Sequence, residues 1–474
     1  MNESIYLSEV KQFIKGVRQG LIPCRKHKLG LGFSKVEAGI CSLYQWTTVP
    51  LLVVQDNPNF KAKIFAGSVP LFTWKKAAIR QILSERYHHS TDRRSRIYIN
   101  VGSLPFFDNR SGIPRVAKEL TRHGLVSTAC EVYPVYADPV DGTYKYAAWW
   151  ARNLGACINR FKALNAYDSI QDPVIDFAPG DWLIHTMINP NEVDVEAEQF
   201  VQMRAAGVKI GFILHDIIAE RHPEFFKNRD AKNFSRWLKN LPQVDGVFAV
   251  SQATLEDYRA WLNEKGLAEG LQQVQGWFHL GCDFQSTASI QKVDPEISAT
   301  LSGKKYVLQV STIEPRKGYA QLLAAFEELW AAGSTESLVI VGRKGWKVTA
   351  FCRRLRRHSE FGKRLFWLQG INDATLKALY EGASLVVAAS EAEGFGLSVV
   401  EAAACKRPLL VRDIPSFREV APEGTAFFCG SEPANLARAI SSVNRTQVPS
   451  TSNRPKSWKE SAEDLFSLIK RTNK

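Results

Sequence analysis

Two glutamates, Glu393 and Glu401, stand with seven residues between them in the run Glu391-Ala-Glu-Gly-Phe-Gly-Leu-Ser-Val-Val-Glu401. A carboxylate at each end of a glycine loop can accept hydroxyl hydrogen bonds on two oxygens. Gly394 and Gly396, on either side of Phe395, let backbone N–H groups approach a ligand closely. A second run, Ser311-Thr-Ile-Glu-Pro-Arg-Lys-Gly318, places Arg316 and Lys317 side by side. When a bond to phosphate breaks, negative charge collects on the departing group, and paired cations in a water-poor site stabilise it. His215 and Asp216 form a third cluster, in which Asp216 can either orient the imidazole or cap a loop. The fourth is Asn109-Arg-Ser-Gly-Ile-Pro-Arg115. There Gly112 permits close backbone approach, Pro114 has no N–H to offer, and Arg115 suits either an acceptor or phosphate contact or a helix surface.

All four clusters follow segments that read as strands. Ile97–Val101 precedes the Gly112 loop, Lys209–Leu214 precedes His215, Tyr306–Val310 precedes Arg316, and Leu385–Ala389 precedes Glu393. Further strands are expected at Glu131–Val135, Trp182–Thr186, Gly246–Val250, Trp277–Leu280, Leu338–Val341, Leu365–Leu368, Leu409–Val411 and Ala426–Phe428. Helical spacing is expected over Ile113–His123, Val193–Ala206, Gln252–Asn263, Tyr319–Trp330, Asp373–Glu381 and Leu397–Cys405. Alternating strand and helix patterns imply βαβ units and parallel sheets. In such sheets ligands bind beyond the carboxyl ends of the strands, where helix N-termini offer free N–H groups to phosphate. The polar stretch Pro295–Lys304 reads as a linker between two such series. The architecture expected is α/β, two Rossmann-like domains facing each other across a cleft.

A chain of 474 residues with 45% hydrophobic and 23% charged residues suits two or three globular domains. No apolar run reaches the length of a membrane span, and Met1-Asn-Glu-Ser does not open a signal peptide. The eight cysteines form no Cys-x-x-Cys pair, so reduced thiols in a cytoplasm are expected rather than metal ligands or disulfides. Charge is uneven: residues 1–96 hold sixteen Lys and Arg against six Asp and Glu, whereas residues 97–474 hold 45 against 42. The basic character is therefore assigned to the N-terminal extension. It carries two candidate basic amphipathic helices, Ser8–Gly20 and Phe72–Tyr87, and suits an anionic membrane surface. No nucleic-acid reader motif accompanies it.

These motifs together resemble family 4 glycosyltransferases, retaining enzymes of the GT-B fold. Glu393-Gly-Phe-Gly-Leu-Ser-Val-Val-Glu401-Ala resembles the family's Glu-x7-Glu signature, and Ser311–Gly318 its donor-phosphate loop. Gly281-Cys-Asp283 resembles a Gly-Val-Asp element, and Leu214-His-Asp-Ile-Ile218 with His222-Pro-Glu224 a segment of its mannosyltransferase-like members. Ser457-Trp-Lys-Glu-Ser-Ala462 resembles a C-terminal Trp-x-x-Ser-Ala helix. The resemblance runs over 97–474 and leaves out 1–96.

It implies a basic N-terminal extension (1–96), an acceptor domain (97–295), a nucleotide-sugar donor domain (305–455) and a C-terminal helix (456–474) that can cross back. Glu393, His215, Arg316 and Lys317 would be catalytic. Glu401, holding the ribose, would bind the donor together with Gly394, Phe395, Gly396, Gly370, Ile371 and Gly112. Arg115 and Asp216 would lie toward acceptor or phosphate. The expected reaction moves a hexose, mannose first among the options, from a nucleotide-diphosphate sugar such as GDP-mannose. Its acceptor would be a saccharide or lipid-linked saccharide in surface polysaccharide synthesis, with no metal or other cofactor. The expected location is cytoplasmic, peripheral on the inner face of the membrane. Rival readings are another GT-B enzyme, such as a nucleotide-sugar epimerase or a phosphorylase, and a non-catalytic binding protein with the same fold.

Overall fold

The computed structural model describes residues 95–106, 108, 112–138, 142–152, 154, 174–187, 193–283, 292–446 and 454–471. The helices expected at Ser8–Gly20 and Phe72–Tyr87 lie outside them, as do Asn109, Arg110 and Ser111. The chain divides into two compact units, one made of 1–110, 125–187 and 194–209, the other of 111–124, 188–193 and 210–474.

In the first unit, β1 (Arg96–Asn100) lies parallel to both β2 (Glu131–Ala137) and β4 (Trp182–His185), while β3 (Tyr144–Tyr146) runs antiparallel to β2. Apart from half-buried Arg96, β1 is buried along its length, and so is all of β4. This is the near-continuous apolar burial that parallel strands need when both faces are covered.

The second unit holds every candidate chemical residue. Its strands β5 (Lys209–Leu214), β6 (Gly246–Ala249) and β7 (Val274–Trp277) are parallel neighbours. β7 spans Val274–Trp277 and not the expected Trp277–Leu280. Its pairing with β6 starts at Val274, opposite Gly246, and the apolar Phe278 and Leu280 are buried in the segment that follows.

A separate six-stranded sheet is parallel throughout. It contains β8 (Tyr306–Val310), β9 (Ser337–Val341), β10 (Leu365–Leu368), β11 (Leu385–Ala388), β12 (Leu409–Arg412) and β13 (Ala426–Phe428). Its order is β10-β9-β8-β11-β12-β13, so the winding reverses between β8 and β11. One face packs on Leu322, Leu323 and Phe326 of the Tyr319–Ala331 helix, the other on Leu379, Tyr380, Val399 and Phe417.

The expected linker Pro295–Lys304 is instead largely a helix, Pro295–Leu301. Asp294 caps it by accepting from the N–H groups of Glu296 and Ile297 at 3.0 and 3.3 Å, and proline occupies the first turn, where no N–H is needed. Ile297 and Leu301 then pack on the second sheet. The cap-and-proline signature outweighs the polar composition. The C-terminal helix Trp458–Arg471 docks on the segment Gly281–Asp283. Asp283 Oδ1 accepts from the Trp458 N–H at 2.7 Å, and the Cys282 N–H donates to the Lys456 carbonyl at 3.1 Å. Only glycine fits at 281, since a Cβ there would come 2.3 Å from the Trp458 nitrogen.

Candidate active site

The loops after β8 and β11 meet where the strand order reverses, the crevice at which parallel sheets take up ligands. Gly318 closes the first loop with a left-handed backbone (φ +67°) and starts the Tyr319–Ala331 helix. A Cβ at 318 would sit 2.2 Å from the Ala389 carbonyl oxygen, so glycine permits the approach of the two loops. The Glu391 N–H also donates to the Arg316 carbonyl at 2.7 Å.

Glu393 is the hub. One carboxylate oxygen accepts from Lys317 Nζ and from Ser390 Oγ at 2.7 Å, and the other from Arg316 at 3.0 Å. The Arg316 guanidinium also donates to the Ala392 carbonyl at 2.9 Å and lies 3.3 Å from Glu314. Burial alone would raise the Glu393 carboxyl, but Lys317 and Arg316 together overcome it and hold the group at about 2. Burial, and next the Arg316 charge, push the Lys317 ammonium below its ordinary value. For Arg316 burial opposes the charge, and Glu393, Asp216 and Glu314 together raise it. Burial pushes the Glu314 carboxyl up. The two cations thus stand in a compact cluster of carboxylates that offsets their charge before any ligand arrives.

His215 stands at the end of β5, and Gly394 comes against it: a Cβ at 394 would lie 1.7 Å from the His215 carbonyl oxygen. The Gly394 carbonyl accepts from Ser251 Oγ at 2.5 Å and Thr254 Oγ1 at 2.9 Å, both at the start of the Gln252–Glu264 helix. Asp216 Oδ1 accepts from the Ile218 N–H at 3.0 Å, which ties it to the turn that leads into the short Ile218–Arg221 helix, and its charge acts on Arg316. Gly396 (φ +107°) starts the Leu397–Ala404 helix. The buried Phe395 ring lies 5.6 Å from the His279 ring, and His279 bonds Glu419 at 2.6 Å.

Glu401, only 4% exposed, lies inside the Leu397–Ala404 helix. One of its oxygens takes Arg115 and the other the Tyr380 hydroxyl at 2.8 Å. The Arg115 guanidinium also lies 6.0 Å over the Trp458 ring. Arg115 sits in the first turns of the Gly112–Val126 helix, where Pro114 costs no helical hydrogen bond. A Cβ at Gly112 would be 3.5 Å from a Leu397 methyl, so this helix start approaches the start of the Leu397–Ala404 helix.

The structure therefore brings Glu393, Arg316, Lys317, Asp216, His215 and the Gly394–Gly396 loop together, and links Arg115 to Glu401. Gly370 and Ile371 are not joined to them by any hydrogen bond or ion pair among the described residues. Gly370 turns the chain with φ +68°, and Ile371 packs on the sheet core. Residues without a role in the sequence reading are Ser390, Ser251, Thr254, Tyr380 and Glu314. Glu314 lies inside the Arg316–Lys317 motif, whereas Tyr380 reads simply as an apolar helix position.

Residues 291–464 match the family described as glycosyl transferases group 1. Residues 291–464 form a group 1 glycosyltransferase domain. It is 34% identical over 385 residues to the serotype-specific mannosyltransferase WbdA of Escherichia coli. The match covers 78% of this chain and 46% of WbdA, so this chain spans about half the length of that relative. Among solved structures, Anabaena HepE in complex with UDP-glucose superposes with a TM-score of 0.51 at 15% identity, covering 80% of this chain and 98% of that one. Sucrose-phosphate synthase from Thermosynechococcus elongatus superposes with a TM-score of 0.50 at 18% identity, with the same coverage. The parallel-sheet α/β architecture of the group 1 domain is thus the GT-B one.

Proposed function

We propose that this group 1 glycosyltransferase chain is a retaining hexosyltransferase. It would transfer mannose from a nucleotide-diphosphate sugar, GDP-mannose first, to a saccharide or lipid-linked saccharide in O-antigen-type surface polysaccharide synthesis. The observation that carries this reading is Arg316 and Lys317 held by Glu393 at the strand-order reversal. Donor diphosphate entering there exchanges the Glu393 carboxylate for phosphate oxygens as partners of the two cations. The sugar–phosphate bond breaks, its electrons stay on the phosphate oxygen, and Arg316 and Lys317 stabilise them without a metal. The acceptor hydroxyl gives its proton to that departing phosphate and forms the new bond from the same face of the sugar. Glu393 and His215 face the sugar, and Glu401 takes the ribose hydroxyls. WbdA, named a mannosyltransferase, supports mannose as the transferred sugar.

No helix among the described residues is long and apolar enough to cross a membrane. The basic segment 1–96 is proposed to hold the enzyme peripherally on the anionic inner face, where a lipid-linked acceptor lies.

Labelled nucleotide sugars test the assignment. Lys317→Ala and Glu401→Ala should each lower kcat/KM about 100-fold or more, the scale of losing a preorganised charge contact. Near-normal transfer by both variants overturns it. Product anomer analysis checks retention, a chelator should leave the rate unchanged, and thermal shifts across GDP, UDP, dTDP and ADP sugars should be largest for the true donor.

A further inference from the structure

The charge of residues 97–474 is not evenly spread. Between residues 343 and 364 stand nine Lys and Arg against one acidic residue, Glu360, which leaves the remainder of 97–474 net acidic. Much of this density lies on the Thr349–Arg357 helix. Cys352 and Leu355 point into the core, while Arg353, Arg354, Arg356 and Arg357 are exposed. Arg354 is neutralised by both oxygens of Glu327, and Arg356 lies 4.6 Å over the Trp367 ring. Arg353 and Arg357 stand one turn apart and have no acidic partner among the described residues, a like-charge pair that disfavours the helix. The helix dipole accounts for cations in the last turn. It does not account for Arg353 in the middle of the helix, nor for exposed Lys344 and Lys363 on either side of it. In the next turn the Phe361 N–H donates to the His358 carbonyl, and Phe361 is 38% exposed beside Lys363.

We propose that the Arg353–Arg357 face of this helix, with the exposed Phe361 and Lys363 that follow it in the chain, is a docking surface for an anionic lipid bilayer. Guanidinium groups one turn apart on a short helix present their charge to an array of phosphates. An exposed aromatic four residues past the helix end can enter the headgroup region. Each unpaired cation near such a surface strengthens binding about fivefold, and added salt weakens it. The surface lies apart from the Glu393 cluster in sequence and shares no residue with it.

Full-length protein is sedimented with phosphatidylglycerol vesicles and, separately, with neutral phosphatidylcholine vesicles. The variant Arg353→Glu/Arg357→Glu/Lys363→Glu is compared with Lys232→Glu/Arg236→Glu/Lys239→Glu, which makes the same charge change at other exposed positions. The proposal expects salt-sensitive binding to the anionic vesicles alone. It expects a loss of about tenfold or more in the first variant, little change in the second, and unaltered transfer to a water-soluble acceptor by both. Equal losses in the two variants reduce the effect to bulk charge and overturn it. No loss in the first variant assigns the binding to other residues, those of 1–96 included, and also overturns it. Wild-type protein that binds polyglutamate but not anionic vesicles makes the surface a site for acidic polypeptide, and the lipid assignment fails.

Discussion

Glu393 receives hydrogen bonds from Lys317, Arg316 and Ser390 on two oxygens. Its folded pKa of about 2 lies below the ordinary 4.5, so the folded state favours the charged form. The stabilisation from this network is complete above pH 4.5 and is lost as pH falls through about 2. Glu393→Gln, which removes the carboxylate bonded to two largely buried cations, should cost about 3 kcal/mol at neutral pH. Its deficit in thermal midpoint against wild type should shrink between pH 4.5 and 2. Tyr380 tests Glu401 in a different way. Tyr380→Phe removes one hydrogen bond to a buried carboxylate and should raise donor KM severalfold with little change in kcat. A fall in kcat alone would put Glu401 in the chemistry rather than in donor binding. The residue types of this site are readable because each motif is contiguous. The Arg115–Glu401 pair is not: its members stand 286 positions apart, and although each is picked out by its own motif, nothing in either motif says that the two bond each other.

Elements place these residues through a few close approaches of backbone. Gly394 lies against His215 and is held from the other side by Ser251 and Thr254. Gly394→Ala should destabilise by about 1–3 kcal/mol in urea titration, because the added Cβ has no space, and should weaken donor binding as the loop shifts. Asp294→Ala should cost about 1 kcal/mol through loss of a helix cap. Strands β8 to β13 were legible because buried parallel strands are short apolar runs, as in Leu385-Val-Val-Ala388. The Pro295–Leu301 helix was hidden because its seven residues are too few to show a period, although Asp-Pro-Glu announces its start. Helix Thr349–Arg357 went unread for a related reason: two core residues among nine, set among four arginines, make a weak pattern.

At the scale of the whole molecule, the fold class followed from the strand–helix alternation and the order of the motifs. The path of the chain did not. Nothing local says that segment 111–124 belongs with 210–474, or that the last helix returns to Gly281–Asp283. Trp458 is fully buried in that return, and Trp458→Ala should cost about 3–5 kcal/mol. The return also sets an order of events. A chain made from its N-terminus exposes Gly281–Asp283 until Trp458 has left the ribosome, some 175 residues later. During that interval Cys282, whose thiol is pushed up to about 12 mainly by burial in the finished fold, is an ordinary accessible thiol. Ribosome-held chains that stop short of Trp458 should therefore react with a maleimide at Cys282, and released full-length chains should not. The Trp458–Arg471 helix would then act as the seal on vectorial folding.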